Sequence, residues 1–298
     1  MARSSDRRPE NVPGALFVDS TCIDCDTCRW MAPETFDRRG DMARVHAQPR
    51  DPAALARALQ ALVACPTGSI GTEDAGHAAA LRAAREAFPV PVAGPVLHCG
   101  WHSRKSFGAA SYLYLRPPER GGNVLVDSPR WSGALVRRLE ALGGVGTLFL
   151  THIDDVADHV RFAAHFGARR VLHARDVDEG TRDVELLLEG EAPIALDDDL
   201  LALPVPGHTA GSTCLLAQGQ YLFTGDHLAW SERLGHLYAF RSACWYDWDE
   251  LVRSMERLVE QRFEWVLPGH GRRAHVPPER FDAEIARLLD WLRTPTPP

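Results

Sequence analysis

The sequence predicts an α/β protein in two parts, a small cysteine-rich unit ahead of a larger layered domain. Two observations carry that reading. Four of the seven cysteines fall within residues 15–72, where strand-like alternation is nearly absent. From Val96 onward, short apolar runs alternate with helical spacing, the pattern of a layered α/β domain. At 298 residues, with 45% hydrophobic and 24% charged residues, the chain is long enough for both parts and too apolar to be disordered. No apolar run nears the roughly 20 residues that a bilayer crossing needs. The opening MARSSDRRPENVPG holds no apolar segment for export, which predicts a cytoplasmic protein. A net charge of −7 with both signs interspersed leaves no electrostatic footprint for nucleic acid or a membrane, so a small-molecule substrate is expected.

Taken in order, the first unit spans 15–72 and includes an amphipathic stretch, Pro52–Ala64. An Ala-rich helical run, Ala75–Phe88, is stopped by Pro89, and PVPVAGPV cannot continue a helix, so 73–95 is expected to be a linker. In 96–298 the runs SYLYL, NVLVD, TLFLTH, RRVLHA, LALPVPGH, TCLLA, YLFTGD and EWVLPGH read as strands. Helical spacing covers Trp131–Leu142, Asp158–Phe166, Asp247–Gln261 and Pro278–Leu292. Several strands end on His or Asp, so their ends are expected to converge on one polar site.

Cys22, Cys25 and Cys28 are spaced C-x2-C-x2-C, and Cys65 follows at a distance with Pro66 after it. Three thiolates on a tight loop hold three corners of a cubane, and a remote fourth closes a [4Fe–4S] cluster. A zinc knuckle is the competing reading, but such sites pair C-x2-C with a second pair or with histidines. A disulfide framework fits poorly with a chain that carries no export signal. Through CIDCDTC and CPTGSI this segment resembles the bacterial single-cluster ferredoxins, over about residues 15–72. The resemblance implies a small α+β ferredoxin-like domain. It also implies four irons, because Cys25 stands where an aspartate marks a three-iron cluster. Cys99, Cys214 and Cys244 read as buried small hydrophobes, and Trp30 is expected to pack on the cluster loop.

The second signature is spread over THIDDVADH (151–159), PGHTAGS (206–212), FTGDHLAW (223–230) and LPGHG (267–271). Imidazole and carboxylate groups presented from separate strand ends are what a metal site needs, and the flanking glycines allow sharp turns beside it. These motifs resemble the metallo-β-lactamase superfamily, over about residues 96–275. The resemblance implies a four-layer αβ/βα sandwich with a mono- or dinuclear metal site at the edge of its two sheets. Position by position it implies His152 as the first histidine of H-x-H-x-D-H and Asp158 and His159 as its terminal pair. It likewise implies His208, the bridging Asp226 and the last histidine, His270, with Asp127 in a supporting role.

The first motif is two residues longer than the family pattern and lacks its second histidine, a place that Asp154 or Asp155 can fill. Asp155 has a competing role as N-cap or first-turn acid of the helix that follows, so Asp154 is the expected ligand. One metal then takes His152, Asp154, His208 and Asp226, the other Asp158, His159, Asp226 and His270. Replacing imidazole by carboxylate moves preference from zinc toward iron or manganese. The expected cofactors are therefore a [4Fe–4S] cluster and one or two Zn or Fe ions, with Mn as a further option.

The resemblance implies a metallo-hydrolase in which metal-activated water is the nucleophile and Asp158 orients it. The chain past His270 holds one short helix, too small for the helical substrate domain of glyoxalase II. A second reading is an iron-containing redox enzyme that receives electrons from the ferredoxin unit and meets a redox partner protein. The superfamily's flavodiiron branch also places a carboxylate in the first motif. A third reading is a non-enzymatic electron carrier or redox sensor. His227, His173, Arg104 and Lys105 are secondary site residues, each with a structural alternative.

Overall fold

The computed structural model describes residues 2–294. Its N-terminal unit runs β1 (Leu16–Val18), α1 (Thr27–Met31), β2 (Phe36–Arg39), β3 (Met42–Val45), α2 (Pro52–Ala64), β4 (Ile70–Thr72) and α3 (Ala78–Ala87). β1 pairs with β4 and β2 with β3, both antiparallel. α2 starts where local chemistry dictates. The Asp51 carboxylate accepts from the Ala54 N–H at 2.8 Å, and Pro52 occupies the first turn, where a missing N–H costs nothing. The helix buries Ala58, Leu59 and Ala61 and ends at Cys65, delivering the fourth cysteine beside the loop that carries the other three.

The stretch expected to be a linker belongs to the fold. α3 packs on α2, and Val90–Ala93 forms β5, an edge strand of the first large sheet. An edge position tolerates Pro91, which lacks a ladder donor. That sheet continues with β6 (Val96–His98), β7 (Tyr112–Tyr114), β8 (Val124–Val126), α4 (Gly133–Ala141), β9 (Thr147–Phe149), α5 (His159–Phe166), β10 (Arg169–His173) and β11 (Leu186–Leu188). Strand order is β11-β10-β9-β8-β7-β6-β5, parallel from β8 to β11 and antiparallel elsewhere.

The second half contributes β12 (Ile194–Asp197), β13 (Leu200–Pro204), β14 (Thr213–Ala217) and β15 (Tyr221–Gly225). After these come the hairpin β16 (Ala229–Ser231) and β17 (His236–Tyr238), α6 (Trp248–Leu258), β18 (Trp265–Pro268), β19 (Ala274–His275) and α7 (Pro278–Leu292). The order of this sheet is β12-β13-β14-β15-β18-β19.

Side-chain alternation builds the layers. Tyr112, Tyr114, Val124, Val126 and Phe149 face the second sheet and meet Leu200, Ala202, Leu215 and Phe223. Their neighbours Leu113, Leu125 and Leu148 point outward to Leu135, Leu139 and Phe162 on α4 and α5. On the far side Cys214, Leu216 and Leu222 meet Leu251, Met255 and Leu288 on α6 and α7. The result is a four-layer αβ/βα sandwich, and burial of both faces explains why its strands read as continuous apolar runs. The outer core on the α4 and α5 side runs on without a break into Leu59, Ala61 and Val63 of the N-terminal unit. No helix among the described residues is long and apolar enough to cross a membrane.

Candidate functional site

The C-terminal ends of β9, β15 and β18 and the loop after β13 open on one edge of the sandwich and carry His152, Asp226, His270 and His208. The rings of His152 and His208 meet edge to face, 4.8 Å between centroids. Their Nε2 atoms lie 3.8 and 3.7 Å from Asp226 Oδ2, and His208 Nε2 lies 3.3 Å from Asp154 Oδ2. The Thr151 hydroxyl donates to Asp127 at 3.0 Å and accepts from His152 Nδ1 at 2.9 Å. His208 Nδ1 donates to the Ala243 carbonyl. Both imidazoles are thus oriented from behind, and neither Nε2 has a hydrogen-bond partner. His270 Nδ1 lies 2.8 Å from both Asp226 oxygens, while its buried Nε2 is also without a partner.

Charge follows this geometry. Burial pushes His152 down to about 4 and Asp127 up to about 8. Burial alone would raise the Asp226 carboxyl, but His270, His152 and His208 outweigh it and hold Asp226 below the ordinary carboxylate range. Against the opposing effect of burial, Asp154 and Asp226 raise His208, and Asp226 raises His270.

The two aspartates of the first motif diverge although they are adjacent. Ile153–Asp155 form a single 3-10 turn. Asp154 is half-exposed on the cleft, and the His208 imidazole beside it lowers its carboxyl. Asp155 is buried with neither oxygen partnered, and burial, then Asp226 and Asp127, push its carboxyl well above the ordinary range. It is not the cap of α5, which begins four residues later. Donor atoms of His152, Asp154 and His208, and of His152, Asp155 and Asp226, each converge within 4.8 Å. A Cβ on Gly269 would lie 2.6 Å from Asp155 Oδ2 and 3.1 Å from Asp226 Oδ1, so glycine is what lets these carboxylates share one floor.

Asp158 and His159 are not brought to this floor. The two extra residues of the motif are taken up by the 3-10 turn and by Ala157, whose φ of 34° reverses the chain before α5. Asp158 accepts from the Trp131 N–H at 2.8 Å and from Lys105 Nζ at 2.9 Å. His159 is buried on α5, lowered by burial and then by Arg170, with Gly180 and Asp178 near it. Asp158 and His159 therefore stand apart from Asp226 and His270, with which the sequence grouped them, and it is Asp155 whose oxygens converge with Asp226 and His152. Sequence reading missed Asp176, which accepts from the Ile153 N–H at 3.0 Å and from the Thr209 hydroxyl and Gly211 N–H, each at 2.6 Å. One carboxylate thereby ties the first motif to the His208 loop. Its only signal is another strand, RRVLHARD, that ends on polar residues.

Among the secondary residues, His173 closes its own turn through the Gly190 carbonyl and the Arg175 N–H. His227 is buried behind Asp226 and pushed down to about 3 by burial. Lys105 reaches the cleft, and Arg104 is exposed. Trp30 binds the sandwich more than its own loop, with the Arg273 guanidinium over its ring at 4.5 Å and the His98 ring 5.2 Å away.

Cys22, Cys25, Cys28 and Cys65 line one pocket with Val18, Ala43 and Ile70. Asp24 and Asp26 take φ of 59° and 69°, which curls the loop, and Arg29 clamps both carboxylates at 2.5 Å. The Ser69 N–H donates to Cys65 Sγ at 3.3 Å. Burial raises the Cys25 thiol to about 11 and pushes Cys28 up as well. Thiolates are stable in so apolar a pocket only when a metal binds them, and the four-sulfur donor set fits a [4Fe–4S] cluster. The unpartnered imidazoles and carboxylates of the sandwich fit a divalent metal by the same reasoning. They floor an open cleft of about 1050 Å³ whose walls include Cys25, Arg29 and Arg38 on one side and Tyr238, Phe240 and Trp245 elsewhere.

Residues 18–72 match the family described as the 4Fe-4S single cluster domain of Ferredoxin I. Over 133 residues the chain is 36% identical to a hydroxyacylglutathione hydrolase of Anaeromyxobacter dehalogenans, a match covering 43% of this chain. The chain spans about half the length of that curated relative, 50%. Among solved structures it is similar to a metallo-beta-lactamase from Pontibacter korlensis, with 16% identity and a TM-score of 0.49 over 69% of this chain and 98% of that one. It is also similar to ETHE1 from Myxococcus xanthus, with 20% identity and a TM-score of 0.44 over 66% and 91%. The chain thus joins a segment matching that single-cluster ferredoxin domain to a four-layer αβ/βα sandwich similar to the metallo-beta-lactamase structures.

Proposed function

We propose that the cleft is the active site of a metal-dependent hydrolase acting on acyl thioesters. The observation that carries this reading is the convergence of unpartnered His152, His208 and His270 Nε2 atoms with Asp154, Asp155 and Asp226 at the floor of an open cleft. The hydroxyacylglutathione hydrolase similarity supports the thioester class. His152, Asp154, His208 and Asp226 would hold one metal, and Asp155, Asp226 and His270 a second. A metal bound there supplies Lewis acidity and a water acidified to near neutral pH. Asp155, whose two oxygens make no hydrogen bond within the chain, would give one oxygen to the metal and leave the other to orient a water held on the floor. Tyr238, Phe240 and Trp245 exclude solvent from an acyl chain, while Arg29 and Arg38 face the polar end of a substrate.

A second reading, an iron-dependent redox enzyme, is favoured by one specific observation: the cluster ligand Cys25 lines the same cleft as Asp226 and His270. A donor set with three carboxylates also suits iron better than zinc. Anaerobic purification with iron, sulfide and zinc quantitation, followed by thioester assays, separates the two. The hydrolase reading expects about four irons matched by sulfide, one or two zincs, and turnover abolished in His208→Ala. Turnover that survives complete metal removal overturns it. Iron in excess of sulfide with no thioester turnover favours the redox reading.

A further inference from the structure

The turn Ser103–Gly108 is wedged between the cysteine pocket and the metal floor. On one side Gly108 closes on Cys25, where a Cβ would lie 2.8 Å from Cys25 Cβ and 3.0 Å from its Sγ. The Gly108 carbonyl accepts from His102 Nδ1 at 2.7 Å and lies 3.3 Å from the Thr27 hydroxyl, which itself lies 3.4 Å from Cys25 Sγ. On the other side Phe107 lies near His270, 6.2 Å between ring centroids, and the Ala110 N–H donates to the Gly269 carbonyl at 2.8 Å. His270 in turn touches Asp226 at 2.8 Å. Cys25 lines both the cysteine pocket and the open cleft.

Phe107 is the strained member of this turn. Its φ of 46° lies in the left-handed region that a bulky side chain avoids. It is also 54% exposed, so core burial does not compensate the strain. The hydrogen bonds at Gly108 and Ala110 fix the backbone on both sides, with Cys25 against Gly108 and the His270 ring beside Phe107. Strain kept at such a position, without burial to explain it, points to function.

We propose that this turn is an electron path from the iron–sulfur cluster to the metal of the sandwich, running from Cys25 across Gly108 and Phe107 to His270 and Asp226. The path rests on the iron reading of the metal site given above. With both groups bound, one electron would pass from [4Fe–4S]⁺, leaving [4Fe–4S]²⁺, to ferric iron held on the floor, leaving it ferrous. No bond forms or breaks, and a low-potential one-electron donor re-reduces the cluster.

The test uses the full chain with its cluster assembled and the sandwich site loaded with iron or, in parallel, with zinc. Power saturation of the reduced cluster's EPR signal is expected to require several-fold more power with iron than with zinc, because only iron is a nearby paramagnet. Flash photoreduction then follows reoxidation of the cluster by the ferric site. Phe107→Ala is expected to slow that step several-fold with metal content, sulfide and power saturation unchanged, and Phe107→Tyr to restore it. Identical saturation with iron and zinc, both metals being retained, overturns the proposal alone, as does an unchanged transfer rate in Phe107→Ala. Failure to retain either metal overturns the metal-site reading, and the path falls with it.

Discussion

The cysteine pocket and the metal floor are neighbours built on opposite plans. Three of the four cysteines come from one seven-residue loop, curled by left-handed aspartates and clamped by Arg29. Burial raises its Cys25 and Cys28 thiols and so keeps those two neutral when free. The metal floor gathers its groups from four distant strand ends, and the Thr151 hydroxyl, backed by Asp127, and the Ala243 carbonyl orient His152 and His208 in advance. It is charged before any metal arrives, with Asp226 held ionised among three histidines. The difference teaches that the cysteine pocket takes its charge from what binds it, whereas the metal floor is charged and oriented beforehand.

That contrast can be broken most sharply at Asp226, which touches His270 and faces both other imidazoles. Asp226→Asn is expected to lower kcat/KM by about 10³-fold or more and strip the sandwich metal, because the shared ligand is lost. Iron and sulfide in the cysteine pocket stay at wild-type levels, and their joint loss would show that the two sites are not organised separately. Asp155→Asn against Asp158→Asn sharpens it next. The first is expected to cost about 10²-fold in turnover and the second less than tenfold, since only Asp155 reaches the floor. Equal losses would restore Asp158 to the site.

Asp176→Ala removes one acceptor from three donors and is expected to weaken metal affinity about 10- to 100-fold, read by competition with a chelator. It also lowers stability by about 2–3 kcal/mol, because buried donors are left unpaired. The smallest effect concerns pH. In the folded, metal-free chain Asp127, with a pKa of about 8, and Asp155 keep protons that the unfolded chain releases above about pH 4. Folding therefore takes up protons, so metal-free stability is expected to fall as pH rises from about 5 through 8. Asp127→Asn should flatten the melting-temperature profile by a few degrees over that range, and a parallel profile would mean that Asp127 is ionised when folded.

Much of this was legible in the residues. The even spacing of Cys22, Cys25 and Cys28 encodes a local loop, and locality is what sequence expresses best. The limits Pro52–Ala64 and Pro278–Leu292 coincide with helices whose starts are set by Asp51 and by proline. The supposed linker was misread because Pro91 argues against a strand only where both edges are paired, and β5 has a free edge. The first metal motif was misread for a different reason. Spacing along the chain counts residues, but a 3-10 turn followed by a left-handed Ala157 changes where each side chain points. Asp155 thus faces the floor, and His159 is buried on α5 away from it. Asp176 was invisible because its partners, Ile153, Thr209 and Gly211, are backbone and hydroxyl groups far away in sequence.

Arg272 pairs with Asp26 of the cluster loop, and Arg273 lies over Trp30, only two and three residues beyond His270. Together with the unbroken core through Leu59, Leu113 and Leu125, this packs the cysteine loop and the sandwich on one shared core. A cell short of iron would then produce chains in which an emptied cysteine pocket loosens the same core that supports the metal floor. Proteolytic lifetime of the whole protein should therefore follow cluster occupancy, making iron supply a control on how much of it survives.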